Sequence, residues 1–146
     1  MTRVPGNIIL AVDDEEDDRR LIREALEQSG FRVIQANSYQ EGYSVFSENR
    51  EQIDLLIADL ALPDGNGCEL ALAVRSERPT LAVLFVSGHV GAEVCRFYGL
   101  DVTDEHYLRK PFTAQELVRR VQRVLSSEER FPRLYQRKVF RSGSIL

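Results

Sequence analysis

Short apolar runs alternate along the chain with stretches whose apolar residues recur every three or four positions. Residues 7–12 (NIILAV) form an almost continuous apolar run with β-branched members, which predicts a strand covered on both faces. Residues 32–36 (RVIQA) predict a second strand, half polar as an edge strand would be. Residues 53–59 (IDLLIAD) give the clearest central strand, and 81–86 (LAVLFV) a fourth. A fifth, short strand falls at 106–108. Between these lie five helical patterns. Residues 16–29 carry Leu21, Ile22, Ala25 and Leu26 at helical spacing, with Gly30 as the stop. Residues 38–48 begin at Ser38, with Glu41 at the capping-box spacing. Gly42 inside that helix costs roughly 1 kcal/mol against alanine unless close packing requires it. Residues 68–75 form a third helix that ends before Pro79, and 90–98 a short, poorly patterned fourth. In the fifth, 113–125, Thr113 and Glu116 make a capping box ahead of a Leu117, Val118, Val121, Val124, Leu125 stripe. The segment 60–67 (LALPDGNG) reads as a turn.

Five strands alternating with five helices predict an α/β fold: a doubly wound, five-stranded parallel sheet with helices on both faces. Such sheets bind ligands beyond the carboxyl ends of their strands. The residues that leave those ends therefore matter most. They are Asp13 and Asp14, then Asn37, Asp59, Ser87 with Gly88, and Lys110 with Pro111. The carboxylates meet only if strands one and three are neighbours, as the flavodoxin-like order 2-1-3-4-5 provides. Three clustered carboxylates need a raised pKa or a counter-charge. All-oxygen ligation at a wet, open site suits Mg²⁺. Lys110 offers a second positive charge; it is the only lysine in the first 125 residues, where 13 arginines occur. This set of groups suits phosphoryl transfer. A carboxylate oxygen acts as nucleophile, and cations with a hydroxyl stabilise the charge of the transferring group.

Four segments together resemble the receiver domain of two-component response regulators. They are Val12-Asp13-Asp14-Glu15, Asp59 ahead of Leu62-Pro63-Asp64-Gly65-Asn66-Gly67, Ser87-Gly88, and Tyr107-Leu108-Arg109-Lys110-Pro111-Phe112. The resemblance covers about residues 6–126. It implies that Asp59 is the phosphoacceptor and that Asp13, Asp14, Asp59 and the Ala61 backbone carbonyl hold Mg²⁺. It implies that Ser87 and Lys110 bind the phosphoryl group, that Ser87 and Tyr107 form the switch, and that the Lys110–Pro111 peptide is cis. The implied partner is a histidine kinase or a histidine phosphotransfer protein. The implied output is a change in the face built from helix four, strand five and helix five, used by an effector or a second copy. Such a domain promotes only its own phosphorylation and dephosphorylation. It occurs as a stand-alone regulator or as the receiver part of a hybrid histidine kinase. Leu62 replaces a common methionine of the family, and residues 99–105 (GLDVTDE) depart from the pattern usual before strand five.

Composition adds bounds. Hydrophobic residues make up 43% and charged residues 29%, as in an ordinary soluble protein. Neither an apolar span of membrane length nor a signal-peptide pattern is present, so a cytoplasmic location is expected. Residues 126–146 hold five basic and two acidic side chains, +3, so the net −4 leaves −7 on the body. An acidic body argues against direct nucleic-acid binding. Residues 127–146 read as a basic tail or linker. Cys68 and Cys95 read as buried reduced thiols. Asp17 and Asp18 read as a solvated helix start, Tyr39 and Tyr43 as packing, and His106 as structural or exposed. For His89, an exposed loop residue and a gate for water stand equal. Two other functions stay open: an aspartate-nucleophile phosphatase acting on a small molecule, and a docking module that is never phosphorylated.

Overall fold

The computed structural model describes residues 7–88 and 93–134. Numbered along the chain, its main sheet has strands β1 (Ile8–Val12), β2 (Arg32–Ala36), β3 (Ile53–Asp59), β4 (Ala82–Ser87) and β5 (Tyr107–Arg109). The helices are α1 (Glu16–Gln28), α2 (Tyr39–Glu48), α3 (Gly67–Glu77), α4 (Glu93–Phe97) and α5 (Ala114–Ser126). The sheet is parallel throughout, in the order β2-β1-β3-β4-β5. This is the flavodoxin-like, doubly wound arrangement read from the alternation of elements.

Strand periodicity divides the core into two layers. Leu10, Val12, Leu56, Ala58, Val83 and Phe85 face one side and pack with Phe46 of α2 and Leu70, Ala71 and Val74 of α3. Ile9, Ala11, Leu55, Ile57, Leu84 and Val86 face the other and pack with Ile22 and Leu26 of α1 and Leu117 and Val121 of α5. Both faces of β3 are thus sealed, which explains its unbroken apolar sequence. Gly42 has a packing reason: a Cβ there would lie 2.9 Å from Val12 Cγ2, so α2 sits flush on β1 only without one.

Helix boundaries follow their caps. Ser38 Oγ accepts the Glu41 N–H, and Asn66 Oδ1 accepts the Glu69 N–H. Thr113 and Glu116 form both halves of a capping box. The Asn66 cap starts α3 at Gly67, and the helix runs past Arg75 to Glu77 before Pro79 intervenes. The fourth strand lies one residue later than read, and β5 begins at Tyr107 because His106 closes a 3₁₀ turn, Asp104–His106. The expected start of the fourth helix, with His89, lies outside the described residues.

Two features have no counterpart in the local pattern. β5 pairs only with Phe85, Val86 and Ser87, and the chain after α5 continues along that edge of β4. Val83 N–H donates to the Arg130 carbonyl at 2.8 Å, and His106 Nε2 lies 2.9 Å from the Glu129 carbonyl. Phe131 is buried beneath the Arg75 guanidinium, 4.5 Å from the ring centroid. Arg133–Leu134 pairs antiparallel with Leu100–Asp101. The second feature is a correction. Cys68 and Cys95 are joined in a disulfide rather than held as separate thiols, because α3 and α4 bring their Cα atoms to 5.6 Å.

The bond closes a loop across a sequence separation of 27 residues, a length for which cross-linking stabilises by about 2–4 kcal/mol. Urea unfolding with and without a thiol reductant, beside the Cys68→Ala/Cys95→Ala pair, is expected to show that loss. An identical midpoint in oxidised and reduced samples would count against the cross-link.

Candidate functional site

Parallel register decides which side chains meet. Val12 lies opposite Ala58, Asp59 opposite Val86, and Ser87 opposite Arg109. Asp13, Asp59, Ser87 and Lys110 therefore leave four adjacent strands at one edge. The Lys110 N–H donates to the Ser87 carbonyl at 2.9 Å, and the Lys110–Pro111 peptide is cis.

Asp59 is 5% exposed. Its Oδ1 accepts the Ala61 N–H at 2.9 Å and its Oδ2 accepts Lys110 Nζ at 2.7 Å. The turn after it closes tightly. Ala61–Leu62 pairs with Gly65–Asn66, and the Gly67 N–H returns to the Leu60 carbonyl at 3.2 Å. A Cβ on Gly67 would lie 2.5 Å from the Asp59 carbonyl oxygen, a backbone atom that cannot yield. Only glycine lets α3 start this close to the acid. Asp64 fixes the same turn to a neighbour, its two oxygens accepting the Tyr39 and Gln40 N–H groups at 2.7 and 3.0 Å. These two bonds hold the Asp64 carboxyl below its ordinary pKa.

Asp13 has no accessible surface. Its Oδ1 accepts the Glu15 N–H at 2.9 Å. Its Oδ2 lies 2.8 Å from Lys110 Nζ as a charge contact, and no properly directed hydrogen bond satisfies that oxygen. Burial pushes Asp13 up to about 6, against the lowering pull of Lys110 and the Glu15 N–H. Burial alone would lower Lys110, but its contacts with Asp13, Asp18 and Asp59 outweigh that and raise it, so the ammonium stays charged. Ser87 is buried at the end of β4. Tyr107 is half-buried against the core layer that holds Phe85, and its carbonyl accepts Arg120 Nη1 at 2.7 Å.

Each carboxylate of Asp13, Asp14 and Asp59 offers an oxygen within 4.8 Å of the others. Asp14 is exposed, and Ala61 lines the same cavity. An all-oxygen donor set with an unsatisfied buried oxygen on Asp13 fits a hard divalent cation such as Mg²⁺. Asp18 corrects the sequence reading. Asp17 is solvated and pairs with Arg20, but Asp18 reaches Lys110 Nζ at 2.8 Å. Asp18 meets a lysine that follows β5, a contact that no local spacing announces.

Known proteins resemble the chain over most of its described length. Residues 9–122 match the sequence profile described as "Response regulator receiver domain". The chain is 34% identical over 119 residues to the transcriptional regulatory protein CpxR of Escherichia coli, covering 82% of this chain and 49% of that protein. It is also 34% identical over 121 residues to the phosphate regulon transcriptional regulatory protein PhoB of Pseudomonas aeruginosa, covering 82% and 52%. The chain thus spans about half the length of the curated relatives it matches. Among solved structures, the non-phosphorylated HemR receiver domain of Leptospira biflexa superposes with a TM-score of 0.71 at 34% identity, covering 83% of this chain and 95% of that one.

The raised pKa of Asp13 has a definite sign. The unfolded chain loses this proton near 3.8 and the folded one near 6, so its contribution to stability is lost as pH rises through that window. In Mg²⁺-free buffer near neutral pH, Asp13→Asn is therefore expected to raise unfolding free energy by about 1–3 kcal/mol. Urea titrations at pH 4 and pH 7.5 check this; a variant less stable than the parent at pH 7.5 would refute it.

Proposed function

The chain belongs to the response regulator receiver domain family, and from that membership we propose that it is a phosphorylation-dependent signalling switch with Asp59 as phosphoacceptor. Receiver domains interact with histidine kinases or phosphotransfer proteins and bind Mg²⁺ at an acidic pocket. The observation that carries the reading is the state of Asp59. It is nearly buried, one oxygen is fixed by the Ala61 N–H, and the other rests on Lys110.

In this reading an Asp59 carboxylate oxygen attacks the phosphorus of a phosphohistidine on a cytoplasmic partner. The new O–P bond forms as the P–N bond breaks, which leaves an acyl phosphate on Asp59. Lys110 passes from the free carboxylate to a phosphoryl oxygen and neutralises it. The Ser87 hydroxyl, at the mouth of β4, donates to another. Asp13, Asp14, Asp59 and the Ala61 carbonyl would hold Mg²⁺, which supplies counter-charge for the developing phosphoryl oxygens. Hydrolysis of the acyl phosphate by water resets the site.

Movement of Ser87 towards the phosphoryl group, followed by Tyr107, would alter the face made by α4, β5 and α5. That face suits a protein partner or a second copy of the domain. Phe97 of α4 is 83% exposed and stands edge-on to Tyr98 with ring centroids 5.3 Å apart, an apolar contact available there.

Incubation with Mg²⁺ and acetyl phosphate is expected to add one phosphoryl group to Asp59, read by intact mass, and Asp59→Asn is expected to abolish it. Beryllofluoride with Mg²⁺ is expected to protect the domain from unfolding in an Asp59-dependent way. Failure of both adducts on the parent chain would leave a docking module as the better account.

A further inference from the structure

Lys110 has three carboxylate neighbours, and they are not equivalent. Asp13 and Asp59 belong to the phosphoacceptor and metal set described above. Asp18 belongs to neither. It stands on the first turn of α1, its side chain 34% exposed, and its Oδ2 lies 2.8 Å from Lys110 Nζ. It lines the same cavity as Asp14, Asp59, Ser87 and Lys110. The neighbouring acids of that turn behave differently: Glu16 and Asp17 are solvent-exposed and face Arg20.

Resting on the reading of Asp59 as phosphoacceptor, we propose that Asp18 is a positioning and donor-selecting residue of this site. It holds the Lys110 ammonium beside Asp59, and it adds a fixed negative charge at the entrance through which a phosphodonor must pass. Three physical steps lead there. Asp18 contacts the same ammonium as Asp59, at 2.8 and 2.7 Å from Lys110 Nζ, and so holds that ammonium beside the acceptor from a side chain outside the metal set. That same carboxylate competes with the incoming phosphoryl oxygens for Lys110. Being only partly exposed, its charge is screened less than a surface acid's and repels small anions in proportion to their charge. Free anionic donors are therefore held back, whereas a protein donor can meet the Asp18 carboxylate with a cation of its own.

The test uses the full chain with Mg²⁺ and two small donors of different charge, acetyl phosphate as the dianion and phosphoramidate with one net charge fewer. Initial rates of Asp59 phosphorylation are followed against donor concentration for the parent, Asp18→Asn and the solvated control Asp17→Asn. Asp18→Asn keeps a polar side chain beside Lys110 and removes only the charge. It is expected to lower the apparent KM for acetyl phosphate by about threefold to tenfold, with a smaller change for phosphoramidate. The difference is expected to shrink when ionic strength is raised from 0.05 to about 0.5 M. Asp17→Asn is expected to behave as the parent. Equal KM values in parent and Asp18→Asn, or a shift that ignores donor charge and salt, would overturn the role of Asp18 while leaving Asp59 as acceptor intact. A parent chain that takes phosphate from neither donor would remove the underlying reading and this inference with it.

Discussion

One ammonium group lies against three carboxylates at the edge of the sheet, and the architecture of that edge depends on it. Asp13 and Asp59 are buried at the ends of adjacent strands, where two unpaired anions would be costly. Lys110 reaches both from the end of β5, the outer neighbour of β4. Burial outweighs the pull of that ammonium on Asp13, which is why Asp13 keeps its proton to a higher pH than an ordinary aspartate. Three clustered carboxylates against one ammonium, with an Asp13 oxygen that no directed hydrogen bond satisfies, suit a divalent cation.

The sheet exists to hold that arrangement in register. A slip of one residue between β1 and β3 would turn Asp13 or Asp59 into the core layers and expose the apolar faces now sealed by α1, α2, α3 and α5. Gly67 marks the narrowest clearance beside Asp59. There the α3 start presses on the Asp59 carbonyl, so the acid cannot drift from the turn that orients it.

Elements whose signal is local were legible in the sequence. The central strand was read to both ends, residues 53–59, since a strand sealed on two faces leaves an unbroken apolar run. The N-caps placed α2 and α5 because a cap is a short-range hydrogen bond between residues three apart, though Glu41 closes back on the Asn37 N–H rather than on Ser38, so only α5 has a full capping box. The gathering of Asp13, Asp59 and Lys110 followed from the rule that strand ends share an edge. What escaped were pairings across sequence. The disulfide joins residues 27 apart, Asp64 caps a helix 24 and 25 residues upstream, the Arg130 carbonyl bonds to β4, and Arg133–Leu134 pairs with Leu100–Asp101. None of these leaves a periodic trace. Asp18 was read with Asp17 through the general preference of acids for helix starts, and its ion pair with the distant Lys110 leaves no local trace.

The weakest sequence pattern, that of α4, belongs to a segment with several tethers to distant residues. A five-residue helix cannot persist on its own hydrogen bonds, so its place must come from tertiary contacts. Cys95 is bonded to Cys68, Tyr98 lies within hydrogen-bond reach of both Asn66 and Glu69, and Leu100–Asp101 is paired with the tail. The first three of those anchors, Asn66, Cys68 and Glu69, sit on the opening turn of α3, beside the glycine that touches Asp59. A change in the turn after Asp59 therefore meets α4 through covalent and hydrogen-bonded contacts rather than through loose packing. The poor helical pattern is itself explained: residues selected to bond with α3 and the tail do not need to form an amphipathic stripe.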